Sequence, residues 1–205
     1  LHLMLGNRRE ASAAAERAVA LEPGLSRTQN VQGFAALAEI RAAQAQVAFE
    51  QAIALDSDDP MPRLGLGLAK IRQGQLEEGR ADLEAAVALD SNNALLRAYL
   101  GKAYFEEKRG PLDATQFEVA KELDPLDPTA YFYNAIRLQT ENQPVEALRE
   151  LDGAIERNDN RAVYRGRLLL DQDRASRGTS VARVYNDLGF SQLALGESRR
   201  SLTQS

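Results

Sequence analysis

Residues 94–127 read ALLRAYLGKAYFEEKRGPLDATQFEVAKELDPLD, and most of the chain can be laid over this stretch at a step of 34 residues. Gly33, Gly67, Gly101 and Ala135 fall one step apart, as do Ala18, Ala52, Ala86, Ala120 and Ala154. A fixed period of this length, with two helical segments per unit, marks a helical-hairpin solenoid in which each unit buries its apolar faces against its neighbours. The 205 residues hold about six such units, which predicts one continuous array and not separate globular domains. The expected fold is all-α: a right-handed superhelical solenoid of antiparallel helix pairs.

Composition sets the outer bounds. Abundant alanine, few β-branched runs and 6% aromatics agree with an all-α chain. There is no cysteine and His2 is the one histidine, which excludes thiol chemistry, disulfides and Cys/His zinc sites. No apolar stretch approaches the roughly 20 residues needed to cross a bilayer, so no direct membrane insertion of this segment is expected. The net charge of −5 is unevenly spread: residues 1–159 carry 26 acidic and 17 basic side chains, and residues 160–205 carry 4 and 8, all of the latter arginine. An acidic array lacks the basic stripe that phosphates demand, which argues against nucleic acid as a partner.

The residue types that recur resemble those of tetratricopeptide-repeat (TPR) proteins. In that family each unit places small residues at positions 8, 20 and 27, large ones at 4, 7, 11 and 24, and often proline at 32. The unit 94–127 matches with Leu100, Gly101, Tyr104, Phe117, Ala120 and Pro125; Asp113 departs from the small residue, and Ala114 beside it is expected to take that role. Unit 26–59 supplies Gly33, Ala36, Ala45, Phe49 and Ala52, and unit 60–93 supplies Leu66, Gly67, Gly74, Gly79, Leu83 and Ala86. Unit 128–161 supplies Tyr131, Ala135, Leu138, Ala147, Leu151 and Ala154, and a partial unit over 1–25 supplies Gly6, Ala11, Ala15, Ala18 and Pro23. Small residues at the crossings let helices approach closely, and the large residue of the second helix fills the gap between them. Glycine at Gly6 and Gly74 suits a left-handed helix stop, and Pro23 and Pro125 close the second helix of their units.

The register fails between 162 and 181, which reads as a single helix and a loop before a last partial unit over 182–205. Residues 159–190 weakly resemble TPR regions that precede outer-membrane β-barrels in Gram-negative bacteria, which implies a periplasmic location in preference to the cytoplasm. Both ends fall inside a repeat, so the chain reads as a piece of a longer array. Its open ends, carrying Leu3, Leu5, Leu193 and Leu195, predict self-association.

At about 100° per residue, positions 2, 5, 9, 12 and 13 of the first helix lie opposite the packing positions and line the concave face. This predicts a peptide-binding groove of Phe34, Leu64, Leu68, Tyr99, Lys102, Phe132 and Ile136, apolar in the main. Relatives that grip a C-terminal carboxylate use Lys, Asn and Arg where this chain has Asn30, Phe34, Gly65, Leu95 and Tyr99, so that clamp is absent. An apolar or amphipathic peptide or helix is the expected partner. No catalytic, cofactor or metal constellation stands out. The string DSDDP at 56–60 lacks the glycine and terminal glutamate of a calcium loop. LGLGLAK at 64–70 lies within a helix with no strand before it, and Ser176, Thr179 and Ser180 have no histidine partner. The expected role is a non-catalytic interaction scaffold; the alternative is a structural segment in bacterial envelope assembly or secretion.

Overall fold

The computed structural model describes residues 2–3 and 7–157. Among the described residues the chain forms α-helices joined by short turns, with no strand. Helix α1 (Arg8–Leu21) is the second helix of a partial unit. Four hairpins follow: α2 (Ser26–Ala38) with α3 (Ala42–Leu55), α4 (Pro60–Arg72) with α5 (Leu76–Leu89), α6 (Ala94–Glu106) with α7 (Leu112–Leu123), and α8 (Pro128–Thr140) with α9 (Pro144–Glu156). Each helix packs on the next in sequence, and the first helices of successive hairpins also meet directly, α2 on α4, α4 on α6 and α6 on α8. That pattern is a helical-repeat solenoid.

Local chemistry fixes the period. Asp59, Asn93 and Asp127 stand in extended conformation immediately before α4, α6 and α8, and their side chains accept from Met61 N, from Leu95 N and Leu96 N, and from Thr129 N. Each satisfies backbone donors that the first helical turn leaves unpaired, and Pro60 and Pro128 follow at the position where proline has no N–H to lose. Leu25, one period earlier, has the same extended backbone and offers no side-chain cap.

The first helices end alike. Ile40, Gly74, Lys108 and Asn142 all adopt positive φ, and each lies 34 residues from the next. After each, an N–H reaches back to close the turn: Arg41 N to Ala36 O at 2.9 Å, Gln75 N to Lys70 O at 3.0 Å, Arg109 N to Tyr104 O at 2.8 Å and Gln143 N to Leu138 O at 2.9 Å. This is the Schellman closure, which satisfies carbonyls that the helix end leaves without partners. Glycine, expected to mark this stop, does so only at Gly74 among the described units. The hydrogen-bond pattern imposes the left-handed residue whatever side chain is present.

The seams between helices explain the recurrence of small residues. A Cβ on Gly67 would lie 2.6 Å from Gly79 O, so α4 and α5 approach backbone to backbone. A Cβ on Gly101 would stand 2.7 Å from the Phe117 ring. The Phe49 ring is fully buried, packs edge-on against Phe34 at 4.9 Å between centroids, and fills the space left by both Gly33 and Gly65. Burying such a ring contributes about 1.5–3 kcal/mol. Asp113, and not Ala114, occupies the small-residue position of the third hairpin: it is buried, its backbone faces Gly101, and its carboxylate accepts from Ala114 N. Helix α7 starts late, at Leu112, and its opening turn holds the aspartate against the backbone so that it fits where alanine was expected.

Ion pairs tie neighbouring units. Arg80 is buried, with Nε 3.0 Å from both Glu107 oxygens and a terminal nitrogen 2.7 Å from Glu84, which also accepts from the Tyr104 hydroxyl at 2.8 Å. Burial and then the hydrogen bond to Glu84 push the Tyr104 hydroxyl pKa up. Lys121 bridges Glu118 and Glu150 at 2.7 and 2.9 Å and lies over the Tyr131 ring, whose other neighbour is the Arg157 guanidinium at 4.2 Å.

Candidate functional site

The first helices of the hairpins form a row, and a cleft of about 260 Å³ opens along it. Its lining comes from that row alone: Leu37 of α2, Leu68, Ile71 and Arg72 of α4, Tyr99, Lys102 and Glu106 of α6, and Tyr133 of α8. The composition is graded with depth. Leu37, Tyr99 and Tyr133 are buried and make the floor, Leu68, Ile71, Lys102 and Glu106 are half-buried, and Arg72 is exposed at the lip.

Three features hold the shape. The Tyr99 and Tyr133 rings pack at 5.9 Å between centroids, so α6 and α8 share an aromatic floor. Lys102 Nζ lies 2.5 Å from Glu106 Oε1 one helical turn on, and 5.7 Å from the Tyr133 ring centroid. Arg72 reaches across the seam between units and donates from Nη1 to Leu37 O at 2.8 Å, fixing α4 to the end of α2. Arg72 has no carboxylate partner among the described residues. The cleft therefore carries two cations and one anion, in a chain whose net charge is −5.

Of the residues expected to line a groove, the structure brings Leu68, Tyr99 and Lys102 together in this cleft. Phe34, Leu64 and Phe132 are buried in the core: Phe34 against Phe49, Leu64 with no exposed surface, and Phe132 against Tyr133 at 5.6 Å. Ile136 is half-buried against the same core. These positions point toward the concave side of an isolated helix, but neighbouring first helices lie close enough to cover its flanks. The surface is also less apolar than expected, since three of its eight lining residues are charged. Leu37, Ile71, Arg72, Glu106 and Tyr133 were not among the groove residues named, although the first four stand at positions 12 and 13, which the helical wheel placed on this side. A signal for them existed: Arg72 and Glu106 are one period apart at position 13, and Tyr99 and Tyr133 one period apart at position 6.

Among the described residues no group of histidines and carboxylates is arranged to hold a metal ion, and no helix is long and apolar enough to cross a membrane. The stretch 159–190, the segment 162–181, and Leu193 and Leu195 lie outside the described residues, as does Leu5.

The succession of capped helices, left-handed stops and small-residue seams at 34-residue spacing defines a helical-repeat solenoid of the TPR kind. Solved structures share that fold. The chain superimposes on a chain of the APC/C hetero-tetramer Cut9–Hcn1 with a TM-score of 0.84 at 13% identity, covering 98% of this chain and 38% of that one. TTC0263, a thermophilic TPR protein of Thermus thermophilus, matches with a TM-score of 0.74 at 16% identity over 88% of this chain and 91% of its own. YrrB, a TPR protein with an unusual peptide-binding site, matches with a TM-score of 0.56 at 18% identity over 94% and 93%. At these identities the likeness concerns the fold. No protein-family model matches the chain. No curated protein matches it either.

Proposed function

We propose that this chain is a protein-interaction scaffold that seats an apolar or amphipathic polypeptide segment in the cleft along its first helices. The observation that carries this reading is the cleft itself, an aromatic and aliphatic floor of Leu37, Tyr99 and Tyr133 with Leu68 and Ile71 above it, opening onto the row of first helices. Apolar surface held in a concave, solid-walled site gains by being covered, and an array whose walls are helices presents it with little rearrangement. The peptide-binding site of YrrB, on a related fold, is consistent with such a use.

The test is retention of immobilised peptides, blocked at both ends and rich in Leu, Phe and acidic residues, by the wild-type chain and by Leu68→Glu. Leu68 is half-buried and packs against the core, so the substitution places a charge over the apolar floor, and melting is measured beside retention to separate lost binding from lost packing. Truncating or charging an anchor contact of this kind costs roughly 2 kcal/mol of binding, about 30-fold in affinity. Loss of retention by Leu68→Glu with an unchanged melting temperature supports the reading. Retention that survives Leu68→Glu and disappears in Arg165→Glu with Arg167→Glu refutes it and moves recognition to the basic C-terminal end.

A further inference from the structure

We infer that Arg72 is a carboxylate-reading subsite of the cleft, so that the seated segment carries an internal Asp or Glu side chain next to the apolar residues that fill the floor. The inference rests on the proposed function and adds the charge of the partner to it.

The argument starts from where the cations of the cleft are committed. Lys102 is bound to Glu106 within its own helix, and that pair is neutral. Arg72 is different: its one hydrogen bond runs from Nη1 to a backbone carbonyl, Leu37 O, which supplies direction without neutralising the charge. The Nε and Nη2 edge of the guanidinium is left without a protein partner among the described residues. A planar edge with two parallel N–H groups matches a carboxylate, and the pair is a strong charge-assisted contact when the arginine is already held in place. Here the hydrogen bond to Leu37 O does the holding. The same side chain, at the exposed lip, lines the cleft beside Leu68 and Ile71, so a carboxylate that reaches it sits at the edge of apolar surface.

An internal side chain fits better than a chain terminus. A terminal carboxylate is normally held from several sides, whereas this cleft offers one uncommitted guanidinium edge and places Glu106 within the same lining. The net positive balance of the lining in an otherwise acidic chain gives the complementarity, drawing an acidic segment to the cleft while the rest of the surface repels it.

The experiment compares two pools of fluorescein-labelled dodecapeptides, acetylated and amidated, identical except that one carries Glu and Asp where the other carries Gln and Asn. Both contain Leu and Phe at randomised positions. On the wild-type chain the acidic pool is expected to be retained about 10-fold more tightly. Arg72→Gln should bring the two pools level, and Arg72→Glu should shift preference to a third pool bearing Lys. Equal retention of the acidic and amide pools, lost in Leu68→Glu, overturns the inference and leaves the proposed function standing. Retention of neither pool overturns both. A preference that appears only when the peptide C-terminus is left as the free acid, irrespective of internal Glu, also overturns the inference. Because Arg72 ties α4 to α2, melting is measured for each variant. If Arg72→Gln is unfolded, Glu106→Gln takes its place: it makes the cleft more positive and must strengthen the preference for the acidic pool, and no change there overturns the inference.

Discussion

Ile40 should be the least favourable residue for its position in the described array, and replacing it should stabilise the protein. It sits in the left-handed region at φ 64°, where the equivalent residues are Gly74, Lys108 and Asn142. That conformation costs an L-residue about 1–2 kcal/mol, and a β-branched side chain lies at the upper end of the range. Ile40 is 72% exposed, so little buried surface rewards its presence, about 0.5 kcal/mol by area. Asparagine tolerates the conformation, as Asn142 does at φ 60°, so Ile40→Asn should gain about 1 kcal/mol, or roughly 2–4 °C for a chain of this size. Ile40→Gly relieves the same strain but gives back about 0.5–1 kcal/mol through the greater freedom of the unfolded chain, so its gain should be smaller. The reciprocal change, Gly74→Ile, should cost about 1–2 kcal/mol. Urea midpoints at constant slope, together with thermal melts, measure all three. A lower midpoint for both Ile40 variants, with Gly74→Ile neutral, would refute the reasoning: the turn would then be held by contacts of the Ile40 side chain and not by backbone closure.

Other substitutions probe the remaining devices. Leu25 has the φ and ψ of a helix cap, −99° and 117°, beside −77° and 117° for Asp127, so Leu25→Asp should supply the missing acceptor and raise stability by about 1 kcal/mol in a thermal melt. Gly67→Ala places a methyl 2.6 Å from Gly79 O and 2.9 Å from Leu83 Cγ, where backbone cannot yield. Overpacking of about 1–3 kcal/mol should outweigh the ~1 kcal/mol helix preference of alanine, and Gly24→Ala, whose Cβ meets nothing within 4 Å, is the control by urea midpoint. Burial opposes the charge on Lys121, but its bonds to Glu118 and Glu150 outweigh that and raise its pKa above 10.5. A group whose pKa is higher folded than unfolded stabilises below the unfolded value and loses that contribution as pH rises through the folded one. Stability should therefore fall above pH 10.5, and denaturation of Lys121→Met across that range should show a shallower fall.

The fold was legible because its period is written in small residues at the helix crossings, where there is little room for a larger side chain. Gly67 and Gly101 recur because a Cβ there meets backbone or ring, while the caps Asp59, Asn93 and Asp127, also one period apart, went unread in the sequence. The helix stops were only partly legible: Ile40 and Lys108 carry no left-handed signature of their own and are placed by hydrogen bonds from the residues after them. Asp113 was misread because a buried carboxylate at a small-residue seam is tolerated only when its own backbone satisfies it, and composition does not display that. The cleft was half legible. Angular position gave Leu68 and Lys102, but a helical wheel describes one helix, and the contacts of α2, α4, α6 and α8 decide which flanks remain open. Phe34, Leu64 and Phe132 were lost to the core by that route, and Arg72, at position 13, was not singled out because its hydrogen bond runs to a carbonyl 35 residues away.

The Phe49 ring rests against glycines of two consecutive hairpins, Gly33 in its own and Gly65 in the next. Gly65 stands where the third and fourth hairpins have Tyr99 and Tyr133, both buried. At the joint of the first and second hairpins a Phe is therefore matched to a Gly, whereas at the joint of the third and fourth Phe117 stacks on Tyr133 at 6.5 Å between centroids, so the hairpins are not interchangeable bricks. Inserting a copy of the third or fourth hairpin between 59 and 60 would bring a tyrosine to the place where the Phe49 ring now meets Gly65, and a copy of the second would set Leu83 in place of a ring in front of a glycine. The array has a sense of sequence built into its joints: hairpins can be exchanged only together with the neighbour that receives their ring.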